Sequence, residues 1–187
     1  AYKYFGQIKN LVFADKFAEA EEMVNQHFYG IPVAQQAYQP LGDLSLDFKV
    51  MGDQIKDYYR ELDMETGVVK VSYTEGDVKF TREVFMSYPD HVMVMKVSAD
   101  KPGSVSLEAK LRSPFLERTM TKDNRLTMNG IWRYLPETES WLIAKVEGTG
   151  LSFQTDLVAL PEKGTLLATD SSLMISNANS VTFILTA

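Results

Sequence analysis

The chain has 187 residues, of which 45% are hydrophobic and 24% charged, and it carries a formal net charge of −6 and no cysteine. This is ordinary globular composition, and a chain of this length buries roughly 70% of its unfolded surface. The acidic balance argues against nucleic-acid binding, the missing cysteine excludes disulfides and thiol chemistry, and no apolar run approaches the roughly 20 residues of a membrane span.

The first part of the chain, about residues 2–28, has the apolar periodicity of two short helices. Asp15 lies between the two patterns and is the expected N-cap of the second helix. Gly30 and Pro32 are expected to end that helix, because glycine commonly follows a helix and proline cannot continue one. The positions at helical spacing are Tyr4, Phe5, Ile8, Leu11 and Val12, and then Phe17, Ala20, Val24 and Phe28.

A turn over Tyr38–Asp43 separates this helical pattern from a long β pattern. Pro40 favours an extended conformation for Gln39, and Gly42 permits a backbone angle that most residues avoid. The residues that follow alternate between apolar and polar, as in a half-buried strand, with apolar side chains at Leu44, Leu46 and Phe48.

The period of two continues to the C-terminus, with turn signals roughly every 8–12 residues. Gly76 lies in the clearest hairpin connection, where a positive φ is needed. The strand beginning at His91 is apolar on both faces, which predicts a central strand covered on both sides. The predicted strands are 44–49, 54–62, 68–74, 78–87, 91–99, 104–112, 125–130, 140–148, 151–159, 165–169, 172–176 and 181–186.

These patterns predict a mainly β fold. We expect a large antiparallel β-sandwich of the supersandwich type with a short N-terminal helical pair. No linker splits the chain, so one domain is expected over residues 1–187, with the β region beginning at about residue 38.

Two pairs of carboxyl groups have a spacing that makes them catalytic candidates, Glu61 with Asp63 and Glu137 with Glu139. Residues two apart on a strand place their side chains about 6.6 Å apart on one face. Glycoside hydrolysis needs carboxyl groups on opposite sides of the scissile bond, so a solvated strand face is the favoured interpretation of both pairs. We therefore expect no catalytic residue in this chain.

The remaining polar motifs also favour structural roles. His27 and His91 are far apart and cannot supply a ligand cluster, so we expect no metal and no cofactor. His27 is interpreted as a packing or cap-region residue near a helix end, and His91 as a turn residue. No Gly-x-Ser-x-Gly elbow and no phosphate-binding glycine loop occurs in the sequence.

Aromatic residues offer a different kind of candidate. Trp132, Tyr134 and Trp141 are close in sequence. Exposed Trp and Tyr rings can stack on the apolar face of a sugar, but the same rings can fill a core or dock another domain. Both interpretations stay open from the sequence.

Several blocks resemble, in the same order, the N-terminal domain of glycoside hydrolase family 95. The most specific block is Tyr38-Gln39-Pro40-Leu41-Gly42-Asp43-Leu44. The others lie at residues 11–22, 58–63, 71–73, 81–85 and 99–104, and the similarity weakens after about residue 112.

The resemblance implies an antiparallel β-sandwich that precedes an (α/α)6 barrel in a bacterial protein. Members of that family are mainly α-L-fucosidases, with some α-L-galactosidases, and they act with inversion through residues of the barrel. The barrel and the first strands of the family have no counterpart in this chain, so no catalytic residue carries over. The implied partners are the barrel of the same longer protein and a fucosylated oligosaccharide. A periplasmic or secreted location is implied as well, although no signal peptide is visible in this chain.

The residues expected to contact a sugar or the barrel are Tyr38, Gln39, Asp43, Trp132 and Trp141. The Tyr38–Asp43 turn is stiff and carries hydrogen-bonding side chains, so it is the segment expected at the rim of a sugar pocket. Two alternatives stay open: a free-standing carbohydrate-binding module, and an interaction domain that assembles with other chains. A domain that supports a barrel should expose an apolar patch larger than a monomer normally shows.

Overall fold

The computed structural model of the chain describes residues 1–30, 40–48, 55–132 and 151–187. The chain divides into two compact units, one of residues 1–39 with 134–148 and one of residues 40–133 with 149–187. Among the described residues, no helix is long and apolar enough to cross a membrane.

The described part of the first unit is a helix pair, as the sequence predicts. A 3₁₀ turn over Tyr2–Tyr4 leads into α1 (Phe5–Phe13), and α2 spans Phe17–His27. The predicted N-cap role of Asp15 is wrong, because Asp15 has a left-handed φ of 56° and its N–H bonds to the carbonyl of Val12 at the end of α1. Lys16 holds the N-cap position and makes no side-chain cap.

His27 confirms its interpretation as a packing residue. Its ring stacks on that of Tyr4, with centroids 3.7 Å apart and planes 6° from parallel. His91 is confirmed as a turn residue and has a φ of 53°.

The second unit contains twelve strands within the described residues. Their bounds are β1 Asp43–Phe48, β2 Ile55–Asp63, β3 Val68–Glu75, β4 Val78–Ser87, β5 Val92–Ala99, β6 Val105–Arg112, β7 Leu116–Lys122, β8 Arg125–Trp132, β9 Leu151–Glu162, β10 Thr165–Ala168, β11 Ser172–Ala178 and β12 Ser180–Thr186. Strand β7 was not predicted, and the predicted strand at 140–148 lies outside the described residues.

The strands form two antiparallel sheets, which confirms the mainly β, sandwich-like prediction. The large sheet has the order β2-β3-β4-β5-β12-β9-β8-β7, and the small sheet has the order β1-β6-β11-β10. The central position predicted for β5 is confirmed. The predicted cover on both of its faces is incomplete, since Val97 is fully buried on one face while Lys96 is exposed on the other.

The core lies between the small sheet and strands β5, β12, β9 and β8 of the large sheet. Strand β6 shows the alternation most clearly, with every second residue from Val105 to Leu111 buried. The largest fully buried side chain is Phe183 of β12. The buried core residues are Val97, Val105, Leu107, Ala109, Leu111, Leu126, Met128, Leu157, Ala159, Leu173, Ile175, Ala178, Val181 and Phe183.

Two glycines predicted to shape turns have different roles. Gly76 has a φ of 62° in the two-residue turn between Glu75 and Val78, as the sequence predicts. Gly42 has no such angle, so that prediction is wrong. A Cβ at Gly42 would lie 2.3 Å from the Arg112 carbonyl oxygen, and glycine is therefore needed there for close backbone approach.

Candidate functional site

Two of the predicted contact residues, Asp43 and Trp132, belong to the same end of the sandwich. Asp43 opens β1 and pairs with Arg112, the last residue of β6. Three residues connect the end of β6 to Leu116, the first residue of β7. Leu116 pairs with Ile131 of β8, and Trp132 follows Ile131 as the last residue of that strand. The topology thus places Asp43 and the Trp132 backbone near each other, whereas Tyr38, Gln39, Tyr134 and Trp141 lie outside the described residues.

The described part of the turn is exposed and anchored. Pro40, Leu41, Gly42 and Asp43 are all exposed, and the Ser113 hydroxyl donates to the Leu41 carbonyl at 2.9 Å. Gly42 lies against Arg112, as described above. These contacts hold Leu41 and Gly42 to the end of β6.

The carboxyl pair on β2 behaves as a solvated strand face. Glu61 accepts a hydrogen bond from the Tyr59 hydroxyl at 2.8 Å. Asp63 accepts the backbone N–H groups of Glu65 and Thr66 and so closes the β2–β3 turn; hydrogen bonds from Thr66 and Glu65 lower its pKa. The second pair, Glu137 and Glu139, lies outside the described residues.

A larger polar cluster covers the outer face of the small sheet. Lys110 lies between two carboxylates, 2.7 Å from Glu108 and 3.6 Å from Asp47. The buried Ser172 hydroxyl donates to the other oxygen of Glu108 at 2.7 Å. The hydrogen bonds from Lys110 and Ser172 lower the pKa of Glu108, so this carboxylate stays ionised at neutral pH.

The direction of these shifts bears on catalysis. A glycosidase general acid needs a raised pKa to hold its proton at neutral pH. Among the described carboxyl groups with a resolved pKa shift, Asp63, Asp77, Glu108 and Asp156, every pKa is lowered by hydrogen bonds or ion pairs. Within the part of the chain that the structure describes, no group of three or more His, Asp or Glu side chains could hold a metal ion. The lowered pKa values of these four carboxyl groups do not suit them to the general-acid role.

An apolar surface extends beyond the core on the inner face of the large sheet. Met95 packs against the core, and the ladder continues from it to Val84, then Val69, then Leu62 on the same face. Exposure rises outward along this row, with Val84 half-buried, Val69 37% exposed and Leu62 56% exposed. Met86, two residues from Val84 on the same face of β4, is 72% exposed.

We call Leu62, Val69, Val84 and Met86 the open apolar face. Sequence reasoning assigned these residues to strands but could not identify them as uncovered. Apolar and polar residues alternate in these strands just as they do in strands that a second sheet covers.

The sequence of the chain matches a family model over its full length. The model is described as the N-terminal domain of glycosyl hydrolase family 65, and it matches residues 1–187. The resemblance to family 95 is therefore supported at the level of a glycoside hydrolase N-terminal domain, while family 95 itself is not shown.

Three curated proteins are similar to the chain. Alpha-L-fucosidase 2 of Arabidopsis thaliana is 34% identical over 182 residues, which cover 89% of this chain and 20% of the relative. Probable alpha-fucosidase A of Aspergillus niger is 29% identical over 111 residues, covering 57% of the chain and 13% of the relative. Probable alpha-fucosidase A of Aspergillus oryzae is 38% identical over 47 residues, which cover 25% of this chain and 6% of the relative.

The chain thus spans at most about a fifth of the length of these relatives. Their names are those of glycosidases, and the family model covers every residue here. The chain belongs to the family of glycosyl hydrolase family 65 N-terminal domains.

Proposed function

We propose that this chain is the N-terminal β-sandwich domain of a longer α-L-fucosidase-type glycosidase of the family 95 kind. In this proposal it supports a catalytic (α/α)6 barrel that acts by inversion on fucosylated oligosaccharides, and residues 1–187 form one domain without catalytic groups of their own. The names of the relatives and the small fraction of their length that the chain spans support the proposal.

The observation that carries the supporting role is the open apolar face. A monomer rarely exposes a contiguous apolar patch larger than roughly a few hundred Å² unless that patch binds something. Full burial of one Leu, Val or Met side chain stabilises a structure by roughly 1.5–3 kcal/mol. Leu62, Val69 and Met86 are 56%, 37% and 72% exposed, so covering each of them would contribute a part of that amount to a domain interface.

The Asp43 end of the sandwich is the second part of the proposal. Asp43 is exposed at the start of β1, and the chain on its N-terminal side contains Tyr38 and Gln39. We assign this turn, with Trp132 and Trp141, to the rim of the sugar pocket or to the domain interface. The proposed location of the whole protein is periplasmic or extracellular, which cell fractionation of the source organism tests directly.

Co-expression tests the supporting role. We expect the proposed barrel segment, expressed alone, to be insoluble or inactive on an aryl α-L-fucoside, and co-expression with residues 1–187 to restore activity. The chain alone is the control and should give no turnover above an empty-vector preparation. Full activity of the barrel alone would refute the supporting role, and turnover by residues 1–187 alone would refute a non-catalytic chain.

A further inference from the structure

A cleft of about 370 Å³ opens at the opposite end of β6 from Asp43. It is lined by Glu75 and Phe80 of the β3–β4 hairpin, Ser104 and Ser106 around the start of β6, and Ser176 and Asn177 of β11. Ser106 lies six residues from Arg112 along β6, which places the cleft about 20 Å from the Asp43 pairing. The volume is at the small end of the range of pockets that bind ligands.

The walls of the cleft are fixed by backbone contacts. The Asn177 N–H donates to the Ser106 hydroxyl oxygen at 3.0 Å, across an irregularity in the β6–β11 ladder. The Gly103 N–H donates to the Asn179 side-chain oxygen at 2.9 Å, and the Lys79 N–H donates to Asp100 at 2.9 Å. These bonds tie the β3–β4 hairpin to the β5–β6 connection, and that connection to Asn179 between β11 and β12, so the cleft is preformed.

The polar lining is rich in hydroxyl groups. Ser106 accepts a bond from Asn177 and keeps its own hydrogen to donate, since a hydroxyl both donates and accepts. The hydroxyls of Ser104 and Ser176 have no hydrogen-bond partner within the described parts of the chain. Glu75 adds a carboxylate, and the exposed Asn177 adds an amide.

The apolar lining comes from the inner face of the hairpin. Phe80 is half-buried and stacks on Tyr73, with ring centroids 5.4 Å apart. Val78 lies beside it in the lining. The same lining thus holds an aromatic ring, an aliphatic group and several hydroxyls, which match the apolar C–H groups and polar O–H groups of a sugar ring.

The described lining of the cleft offers an anion no cationic partner. No Lys or Arg is among the described lining residues, so a phosphate or sulfate would find no charge-assisted hydrogen bond to them. Arg82, the next inward-facing residue of β4 after Phe80, is engaged elsewhere. It stacks on Phe48 at 3.9 Å and donates to the Tyr73 hydroxyl at 3.0 Å.

We propose that this cleft is a sugar-binding site that holds one neutral sugar unit of a glycan. The Phe80 ring packs against the C–H face of the sugar, while Asn177 and the serine hydroxyls bind its O–H groups. This inference goes beyond the supporting role, because it needs no barrel and no catalytic activity. Its test is binding, so its failure is distinguishable from failure of the proposed fucosidase function.

Saturation-transfer NMR on the 187-residue chain tests the site. The probes are methyl α-L-fucopyranoside, methyl β-D-galactopyranoside and methyl β-D-xylopyranoside, with glucose 6-phosphate as an anionic comparison. We expect transfer to at least one neutral glycoside and none to the phosphate ester. No transfer to any of the three neutral glycosides, or stronger transfer to the phosphate ester, would overturn the proposal.

Two variants locate the binding. Asn177→Gly removes the amide and keeps the backbone, because Asn177 has a φ of 56° that glycine adopts readily. Ser176→Ala removes one hydroxyl with little change in volume. Asp123→Gly is the matched control, since Asp123 has a φ of 54° in the β7–β8 turn, outside the cleft.

We expect each cleft variant to weaken the neutral glycoside about fivefold, as for one lost hydrogen bond, and Asp123→Gly to leave the affinity unchanged. Circular dichroism confirms that each variant is folded before it is compared. Equal affinity in the wild type and both cleft variants would place the sugar elsewhere and overturn the assignment.

Discussion

At the residue scale, Gly42 shows how a correct turn signal can have an unpredicted cause. The sequence marks the turn through Pro40 and Gly42, but only the fold brings Gly42 against the carbonyl of Arg112, seventy positions along the chain. Asp15 shows the opposite error. Its residue type suits an N-cap, yet the path between the helices gives that position to Lys16. Local chemistry predicts that a turn exists, while the space around it depends on distant strands.

Replacement of Gly42 tests this close approach. In Gly42→Ala the new Cβ would lie 2.3 Å from a backbone oxygen, so β1 or the end of β6 must shift. We expect a loss of unfolding free energy of about 1–3 kcal/mol, measured by urea denaturation. Gly6→Ala is the control, because a Cβ there has no atom within 4 Å and Ala favours the helix. An unchanged free energy of unfolding in Gly42→Ala would show that the backbone at the turn can shift without cost and would contradict the importance of the close approach.

The Glu108 cluster predicts how stability depends on pH. Hydrogen bonds from Lys110 and Ser172 lower the pKa of Glu108 in the folded state below its ordinary value. Glu108 therefore binds a proton more readily in the unfolded chain than in the folded chain. Its contribution to the free energy of unfolding is present above its unfolded pKa and is lost as pH falls through its lower folded pKa. We expect Glu108→Gln to destabilise the sheet at pH 7 and to flatten the stability profile below about pH 4.5.

The matched control for the pH experiment is Glu65→Gln, at an exposed turn position. Its carboxylate has no hydrogen-bond partner among the residues that the structure describes. Thermal unfolding from pH 3 to pH 7 compares the two variants with the wild type. If both variants give the same profile, the Lys110 and Ser172 contacts do not contribute to the pH dependence.

At the element scale, the strands that the sequence predicts best are those that alternate strongly or are apolar throughout. Strand β5 was assigned to the centre of a sheet because both of its faces are apolar, and it is the fourth of eight strands. Strand β7 was missed because it is an edge strand that pairs with β8 and has polar or charged residues at most positions. The register that aligns Leu62, Val69 and Val84 was not predictable, since alternation fixes a face but not a partner.

The central strand β12 offers a test of where the core lies. Phe183 is 1% exposed and is flanked by Met95 of β5 and Ala159 of β9. We expect Phe183→Ala to cost about 3–5 kcal/mol of unfolding free energy, because it removes a buried ring and leaves a cavity. Phe85→Ala is the control, since Phe85 lies on the outer face of β4 and is 41% exposed. Equal losses in chemical denaturation would contradict a core confined between the two sheets.

At the scale of the whole molecule, the two sheets differ in extent, and this difference carries the functional argument. Among the described residues, the large sheet has eight strands and the small sheet four, so one side of the large sheet continues past its cover. The sequence could predict a sandwich and a family resemblance from local blocks. It could not predict which residues the second sheet leaves open, because that depends on how the sheets are offset. The open apolar face is therefore a property of the assembled fold.

Met86→Lys tests whether this face is covered in the longer protein. Met86 is 72% exposed in the chain by itself, so the substitution should change the stability of residues 1–187 by less than about 0.5 kcal/mol. In the longer protein the same lysine would be buried in an apolar interface without a partner, which is costly. We expect the proposed fucosidase activity that survives heating to fall at least about tenfold.

Met120→Lys is the matched control for that experiment, because Met120 is 47% exposed on the edge strand β7, at the other side of the same sheet. It introduces the same charge at the same residue type, away from Leu62, Val69 and Val84. We expect the two variants of residues 1–187 to have nearly equal stability. In the longer protein, we expect Met86→Lys to lose more heat-resistant activity than Met120→Lys, because a neighbouring segment covers the open apolar face. Equal losses in the longer protein would show that the open face is solvated there, and the supporting role would then need a different surface.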